Sequence, residues 1–208
     1  MFFERDDKTK QDKLRRIFFD FDAAAKLNQS SALPRVFKAE VFHKTYLLRM
    51  MSIYDPQHDA LNNTMISLLN AALSIDGNNI RAFKSRAVAL SHLQKRREEI
   101  ADWDRVLALD SKDFAAYSDR AAAKMELGEV YDAIWDYGEA IRNTKRELQH
   151  SVSYQGRAEA YMKTRQWDLA IRDLTTAISL EIGGATILMN IDQFRALYPE
   201  YRKKLKSR

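Results

Sequence analysis

Three segments of the chain repeat one pattern of aromatic, arginine and alanine residues, and this repetition constrains the fold more than any other feature. Successive segments are offset by 34 residues and then by 37 residues. In each one an arginine stands directly before an alanine, with an aromatic residue upstream and a second alanine downstream. The aligned residues are Phe83, Arg86, Ala87 and Ala89; Tyr117, Arg120, Ala121 and Ala123; and Tyr154, Arg157, Ala158 and Ala160.

Each repeated segment contains two apolar runs at helical spacing, separated near Gln94, Gly128 and Arg165. This spacing predicts a helix hairpin in every segment. The chain of 208 residues contains 6 glycines and 3 prolines, so it has few turn signals for a sheet of many strands. Because 46% of the residues are hydrophobic, the chain can bury a substantial core. We therefore expect an all-α protein.

The repeats resemble those of the tetratricopeptide-repeat (TPR) family, whose unit is a 34-residue pair of antiparallel helices. In the first repeat Gln94 stands at the family's turn glycine and Glu99 at a position that is normally small. The other two repeats have aromatic and small residues at the family's positions, although Arg165 replaces the turn glycine of the third. These matching residues are Tyr117, Ala121, Gly128, Ala133, Tyr137 and Ala140, and Tyr154, Ala158, Tyr161, Trp167, Ala170 and Ala177.

The resemblance implies a right-handed superhelical solenoid of TPR helix hairpins with helical caps at both ends. Solenoids of this kind need terminal helices to cover their last hydrophobic faces, and amphipathic segments at both ends of the chain fit that role. A degenerate hairpin is also expected, because ALSID before the first clear repeat resembles VLALD within it. The expected divisions are an N-terminal capping region (1–33), a degenerate helix pair (34–79), three TPR units (80–113, 114–147 and 151–182, within 80–182), and a C-terminal capping helix with a basic tail (183–208).

Each repeated arginine is followed sixteen residues later by an aspartate. One member of each pair lies in the middle of the first helix and the other in the middle of the second, at levels that face each other in an antiparallel hairpin. A guanidinium can lay its apolar stem on the neighbouring helix and still present a fork to a carboxylate. We interpret these residues as structural ion pairs rather than as ligand-binding groups. The pairs are Arg86 with Asp102, Arg120 with Asp136, and Arg157 with Asp173.

The sequence shows no catalytic or metal-binding motif. Cysteine is absent, which excludes disulfides and thiolate sites, and the four histidines are scattered. A Gly-rich phosphate loop, an HExxH motif and a nucleophile motif are all missing. We therefore predict a non-enzyme without metal or cofactor. No apolar stretch approaches the roughly 20 residues of a membrane span, and MFFERDDKTK is too charged for a signal peptide. These features favour a cytoplasmic protein.

In the TPR family the first helix of each unit lines a concave groove that binds extended peptides or helices. In this chain the matching positions are basic in the first unit and acidic in the other two. Some family members hold a terminal carboxylate with a lysine, asparagine and arginine clamp, but only Lys84 fits it here, and Asp119 would repel a carboxylate. The candidate groove residues are Arg81, Lys84, Ser85 and Val88; Ser118, Asp119 and Ala122; and Gln155, Gly156, Glu159 and Met162.

These observations predict a protein–protein interaction module, a scaffold or adaptor that binds a peptide or helix of a partner in this groove. The alternative is a binder of nucleic acid or of an anionic surface, because the chain has a net charge of +5. Five basic residues among the last seven account for all of that net charge, and a short terminal run of basic residues is a weak indication of phosphate binding. The basic residues of the alternative are Arg202, Lys203, Lys204, Lys206 and Arg208 in the tail, and Arg81, Lys84, Lys95, Arg96 and Arg97 in the first unit.

Overall fold

The structure is a computed structural model that describes residues 16–49, 56–144 and 147–180. Every regular element within these ranges is an α-helix, so the all-α prediction is confirmed there. The helices are α1 (residues 16–27), α2 (Leu33–Arg49), α3 (Pro56–Ile75), α4 (Ile80–His92), α5 (Arg96–Leu109), α6 (Phe114–Glu126), α7 (Val130–Asn143), α8 (Glu147–Lys163) and α9 (Trp167–Leu180). None of them combines the length and the apolar character that a membrane crossing requires.

Side-chain caps define where the first helix of two repeats begins. The side chain of Asn79 accepts a hydrogen bond from the backbone N–H of Ala82 at 3.0 Å, at the start of α4. Asp113 caps α6 in the same way, through the N–H of Ala116 at 3.1 Å. Asn and Asp are among the best N-caps because their oxygens satisfy an N–H that the first helical turn leaves without a partner.

The turn inside each hairpin has the same backbone conformation in all three repeats. Gln94, Gly128 and Arg165 have φ values of 58°, 80° and 59°, in the left-handed region. In each turn the next residue closes the helix with a backbone hydrogen bond of 2.8 to 3.0 Å, for example from Glu129 N to the carbonyl of Lys124. This is the Schellman ending, which normally uses glycine. The turn positions predicted from the sequence are therefore correct, including the two that lack glycine.

The described helices form two compact units, with the division between Leu109 and Asp110. Unit 1 contains α1 to α5. Its core includes Val36 of α2, Leu69 of α3 and Ala82 of α4, all with no exposed surface. The helices α2 and α3, which lie in the segment expected to be a degenerate pair, therefore share one core with the first clear repeat. The helix α1 packs on α2, where the Phe21 and Phe37 rings stack with centroids 6.4 Å apart.

Unit 2 contains the hairpins α6–α7 and α8–α9. Small residues lie where its helices cross, and buried alanines occur on all four helices. Because alanine has a short side chain, the helix backbones can approach closely. The side-chain ridges of one helix then pack into the grooves of its neighbour. The core residues are Ala121, Met125, Ala133, Tyr137 and Ala160 in one cluster, and Ala158, Ala170 and Leu174 in another.

Some predicted elements lie outside the described residues. These are the C-terminal capping helix and basic tail of 183–208 and the first part of the N-terminal capping region, up to residue 15. The described part of that region contains α1. Between the second and third repeats, α7 ends at Asn143 and α8 begins at Glu147, and residues 145–146 are not described.

Candidate functional site

The three repeated arginines each bind their aspartate through two hydrogen bonds. Arg86 donates from Nε and Nη2 to the Asp102 carboxylate, at 2.8 and 2.6 Å. The equivalent distances are 2.9 and 2.5 Å from Arg120 to Asp136, and 2.7 and 2.9 Å from Arg157 to Asp173. All three carboxylates are buried. The spacing of sixteen residues thus connects the two helices of each hairpin, and these arginines are occupied inside the fold.

The repeated aromatic residue belongs to the same arrangement. The guanidinium carbon of Arg86 lies 5.6 Å from the centroid of the Phe83 ring. The equivalent distances from Arg120 to Tyr117 and from Arg157 to Tyr154 are 5.5 and 5.4 Å. A cation is attracted to the face of an aromatic ring at such distances. The spacing of three residues between aromatic and arginine therefore has a structural cause that does not require a ligand.

The first helices of unit 2, α6 and α8, lie side by side. A hydrogen bond joins them, from the hydroxyl of Ser153 to the hydroxyl oxygen of Ser118 at 3.4 Å. Gly156 of α8 lies against the ring of Tyr137 from α7, and a Cβ atom at position 156 would be only 2.4 Å from that ring. Position 156 therefore admits only glycine without a shift of the ring. Tyr137 is consequently held between the two hairpins of unit 2.

Two carboxylates make the α6–α8 surface acidic. Burial raises the pKa of the Tyr137 phenol, and the nearby charges of Glu159, Asp119 and Asp136 raise it further. Partial burial also raises the pKa of Glu159, while Lys163 opposes this shift. Glu159 and Asp119 thus act on the same phenol from α8 and α6. We define the acidic face as the exposed or half-buried residues Ser118, Asp119, Ala122, Gln155, Glu159 and Met162.

Apolar contacts on the acidic face are shallow. Ala122 is exposed, whereas Met162 is half-buried and packs on the cluster that contains Ala158 and Leu174. Val152, near the start of α8, is 63% exposed and is the largest exposed apolar side chain described on the two helices. It was absent from the groove candidates. The sequence nevertheless places Val152 with Gly156 at clamp positions of the family's groove, because the two residues are four apart on one helical face.

In unit 1 the groove candidates lie on α4, and α2 binds one of them. The side chain of Arg81 forms a bidentate ion pair with Glu40 of α2, and its guanidinium carbon lies 4.4 Å from the centroid of the Phe37 ring. The sequence did not indicate Glu40 or Phe37, because the repeat pattern is degenerate in that segment. Lys84, Ser85 and Val88 are half-buried on α4.

Within the ranges that the structure describes, no group of three or more His, Cys, Asp or Glu residues is arranged to hold a metal ion. In each unit, neighbouring helices instead form a surface that carries charged side chains and small apolar side chains.

Comparisons with solved structures identify the class of fold. The structure superimposes on the crystal structure of MamA with a TM-score of 0.67 and 18% identity, over 93% of this chain and 96% of that one. It is similar to YrrB, described as a TPR protein with an unusual peptide-binding site, with a TM-score of 0.68 and 14% identity over 89% of this chain and 86% of that one. The thermophilic TPR protein TTC0263 of Thermus thermophilus gives a TM-score of 0.57 and 14% identity, over 87% of this chain and 95% of that one.

These likenesses define a helical repeat protein. More specifically, the fold is that of tetratricopeptide-repeat proteins, as the repeat pattern predicted. No protein-family model matches the chain, and no curated protein sequence matches it.

Proposed function

We propose that this protein is an interaction scaffold whose first-helix surfaces bind peptide or helical segments of a partner protein. The observation that carries the proposal is the acidic face of unit 2, where Asp119 and Glu159 border the small residues Ala122 and Gly156. A TPR protein of similar fold, YrrB, is described as having a peptide-binding site, which supports this kind of activity.

The charge of the acidic face favours a segment that presents lysine or arginine. Glu159 is partly desolvated, as its raised pKa indicates, so a cation placed beside it is screened less than it would be in bulk water. Charge complementarity mainly determines orientation and association rate, and buried apolar contacts provide most of the affinity. Because the apolar contacts here are shallow, we expect a dissociation constant of roughly micromolar, about −8 kcal/mol, for a single segment.

The α4 surface of unit 1 is proposed as a second contact surface. Lys84 would favour an acidic residue of the partner. The guanidinium of Arg81 is bound by Glu40 and Phe37 of α2. The effective basic charge of this surface is therefore smaller than the sequence suggested.

The experiment begins with an affinity pull-down from the native source, followed by mapping of the bound segment and titration with the full chain. Asp119→Lys should weaken binding of that segment about tenfold, or about 1.4 kcal/mol. Asp132→Lys is a matched control, since it makes the same charge change at an exposed position on α7. Circular dichroism should first show that both variants are folded. Equal affinities for the two variants would place the binding site away from the acidic face.

The alternative, binding of nucleic acid, is weakened by the ion pairs of unit 1. Arg81 pairs with Glu40, Lys95 lies 3.7 Å from Glu98, and Arg96 binds Glu99 at 2.8 Å. Cations that pair within the fold release fewer counterions when they approach phosphates. The basic tail lies outside the described residues. Binding to DNA or RNA that falls steeply with salt concentration, without any protein partner, would favour this alternative.

A further inference from the structure

Unit 1 contains a cleft among α1, α2 and α3 that none of the groove candidates lines. We call it the α1–α3 cleft; its volume is about 590 Å³. Its apolar walls include Phe21 of α1 and Leu68 and Ile75 of α3, and Pro34 of α2 contributes as well. The volume falls in the range of about 300–1,000 Å³ that is typical of ligand sites.

The α1–α3 cleft is basic. Lys26, Arg35 and Lys38 line it, and Asp22 is the one acidic residue among its lining. Lys38 binds Asp22 at 2.5 Å, so these two charges compensate each other. Lys26 makes no ion pair or hydrogen bond within the described ranges. Arg35 donates one hydrogen bond, to the backbone carbonyl of Ser31 at 3.2 Å, so most of its N–H donors remain available.

Where α3 packs on α4, charged side chains connect neighbouring elements. There Arg86 of α4 donates a hydrogen bond to Asn70 of α3 at 2.6 Å. Arg105 of α5 lies 5.7 Å from the centroid of the Phe83 ring, and also reaches Asn78 at 3.4 Å. These side chains bridge neighbouring helices. In the α1–α3 cleft, the cations Lys26 and Arg35 instead line an open space together with apolar side chains.

The shape of the cleft favours a protein segment over a small molecule. Small-molecule sites enclose most of their ligand and are lined mainly by apolar groups. This cleft is partly open to solvent, and polar and charged side chains make up about half of its lining residues. Two cations beside an apolar wall match a segment in which carboxylates alternate with large apolar side chains.

We propose that the α1–α3 cleft is a further docking site, separate from the acidic face and from the α4 surface, which takes an acidic amphipathic segment of a partner protein. A carboxylate of the segment binds Lys26 and Arg35, and a neighbouring apolar side chain packs on Phe21 and Leu68. This site is independent of the acidic face, because it has the opposite charge and shares no residue with it.

The test is fluorescence anisotropy of the full chain with a short labelled peptide of leucine and glutamate. Two comparison peptides replace glutamate by glutamine or leucine by serine. The glutamate–leucine peptide should bind with saturation and one-to-one stoichiometry, and both comparison peptides should bind about tenfold more weakly or worse. Failure of the first peptide to bind would overturn the proposal. Equal binding of the leucine-free peptide would also overturn it, because it would show attraction by charge alone.

Two pairs of variants test whether the peptide binds in the α1–α3 cleft. Lys26→Glu should weaken binding of the peptide about tenfold, whereas Lys112→Glu, an identical charge change at an exposed position of unit 2, should change it less than about twofold. Ala71 lines the cleft from α3, so Ala71→Trp should block binding, while Ala101→Trp on α5 should not. Equal effects of the two charge variants, or of the two tryptophan variants once thermal melts show folded proteins, would contradict the proposed site. None of these substitutions alters the acidic face, so a failure here leaves the proposed function to its own test.

Discussion

The hairpins α4–α5 and α6–α7 have the same fold, but different residues occupy the turn and one core position in each. In α6–α7 the turn contains Gly128 with a φ of 80°, and the small position after it is Ala133, which has no exposed surface. In α4–α5 the turn contains Gln94 with a φ of 58°, and the equivalent small position is Glu99, which is only 4% exposed. A carboxylate thus occupies a core position in one hairpin that an alanine fills in the other.

The buried Glu99 is tolerated because Arg96 neutralises it. Arg96 lies one helical turn before Glu99, and its Nη1 donates to the Glu99 carboxylate at 2.8 Å. The same nitrogen also contacts the hydroxyl and the backbone carbonyl of Ser91, at 2.7 and 2.9 Å. A buried charge needs both a partner and hydrogen bonds, and here one arginine provides both. The position that departs from the TPR pattern is therefore compensated locally.

The largest expected effect comes from transferring this carboxylate to the other hairpin. Ala133→Glu places an unpaired carboxylate at a position without exposed surface, because Val130 stands where Arg96 stands in α4–α5. We expect a loss of about 4 kcal/mol in the free energy of unfolding. Urea denaturation followed by circular dichroism measures it. The double variant Val130→Arg, Ala133→Glu should recover part of the loss; no recovery would show that a local arginine is not what makes Glu99 tolerable.

A second comparison concerns the buried aspartates. Arg86→Ala should cost about 3 kcal/mol, because Asp102 loses its bidentate partner. Arg120→Ala should cost about 1 to 2 kcal/mol less than that, because Lys124 remains 2.8 Å from Asp136.

Urea denaturation of both single variants, and of each with its aspartate replaced by alanine, gives the coupling energies. If the two arginine variants lost the same stability, Lys124 would not be compensating for Arg120. Absence of coupling in either cycle would contradict the ion pair itself.

The turns should respond in opposite directions to substitution. Gln94→Gly should stabilise the protein by about 1 kcal/mol, because glycine adopts positive φ without the steric cost of a Cβ. Gly128→Ala should destabilise it by about 1 kcal/mol for the same reason, since a Cβ at position 128 has open space and so meets no other obstacle. Thermal melts of the two variants test this; a destabilised Gln94→Gly protein would mean that the glutamine side chain matters more than the turn conformation.

The smallest effect is the pH dependence from Glu159. Its pKa is raised in the folded state, so its stabilising contribution is present at acid pH, below the unfolded pKa, and is lost as the pH rises through the folded pKa. Glu159→Gln should therefore stabilise unit 2 slightly at about pH 7 and have no effect at about pH 3. Because Glu159 is partly exposed, we expect only a small difference. Urea midpoints at the two pH values measure it, and a variant less stable at neutral pH would contradict the sign.

Much of the fold could be predicted because the sequence contains three copies of one repeat. The offsets of 34 and 37 residues located the turns at Gln94, Gly128 and Arg165 although only one of them is glycine. The spacing of sixteen residues identified the partners of three arginines. Both signals depend on local helix geometry, in which sequence spacing determines which residues face each other.

The surfaces were less predictable, because they depend on helices that are distant in sequence. The pairing of Arg81 with Glu40 joins residues 41 positions apart, in a segment where the repeat pattern is weak. The α1–α3 cleft needs three helices to place Lys26, Arg35 and Leu68 around one space. No spacing rule within a single hairpin contains this information.

The sequence by itself thus determined the class of fold, the hairpin turns and the ion pairs inside each hairpin, since all three follow from the period of an α-helix and from the repeat offset. Only the tertiary structure decided the environment of the other side chains. It binds Arg81 to α2, buries Glu99, holds Tyr137 against Gly156, and leaves Lys26 beside an open cleft. The physical reason is that a charge in the sequence has no fixed neighbours, whereas its burial and its partner are set by which helices pack together.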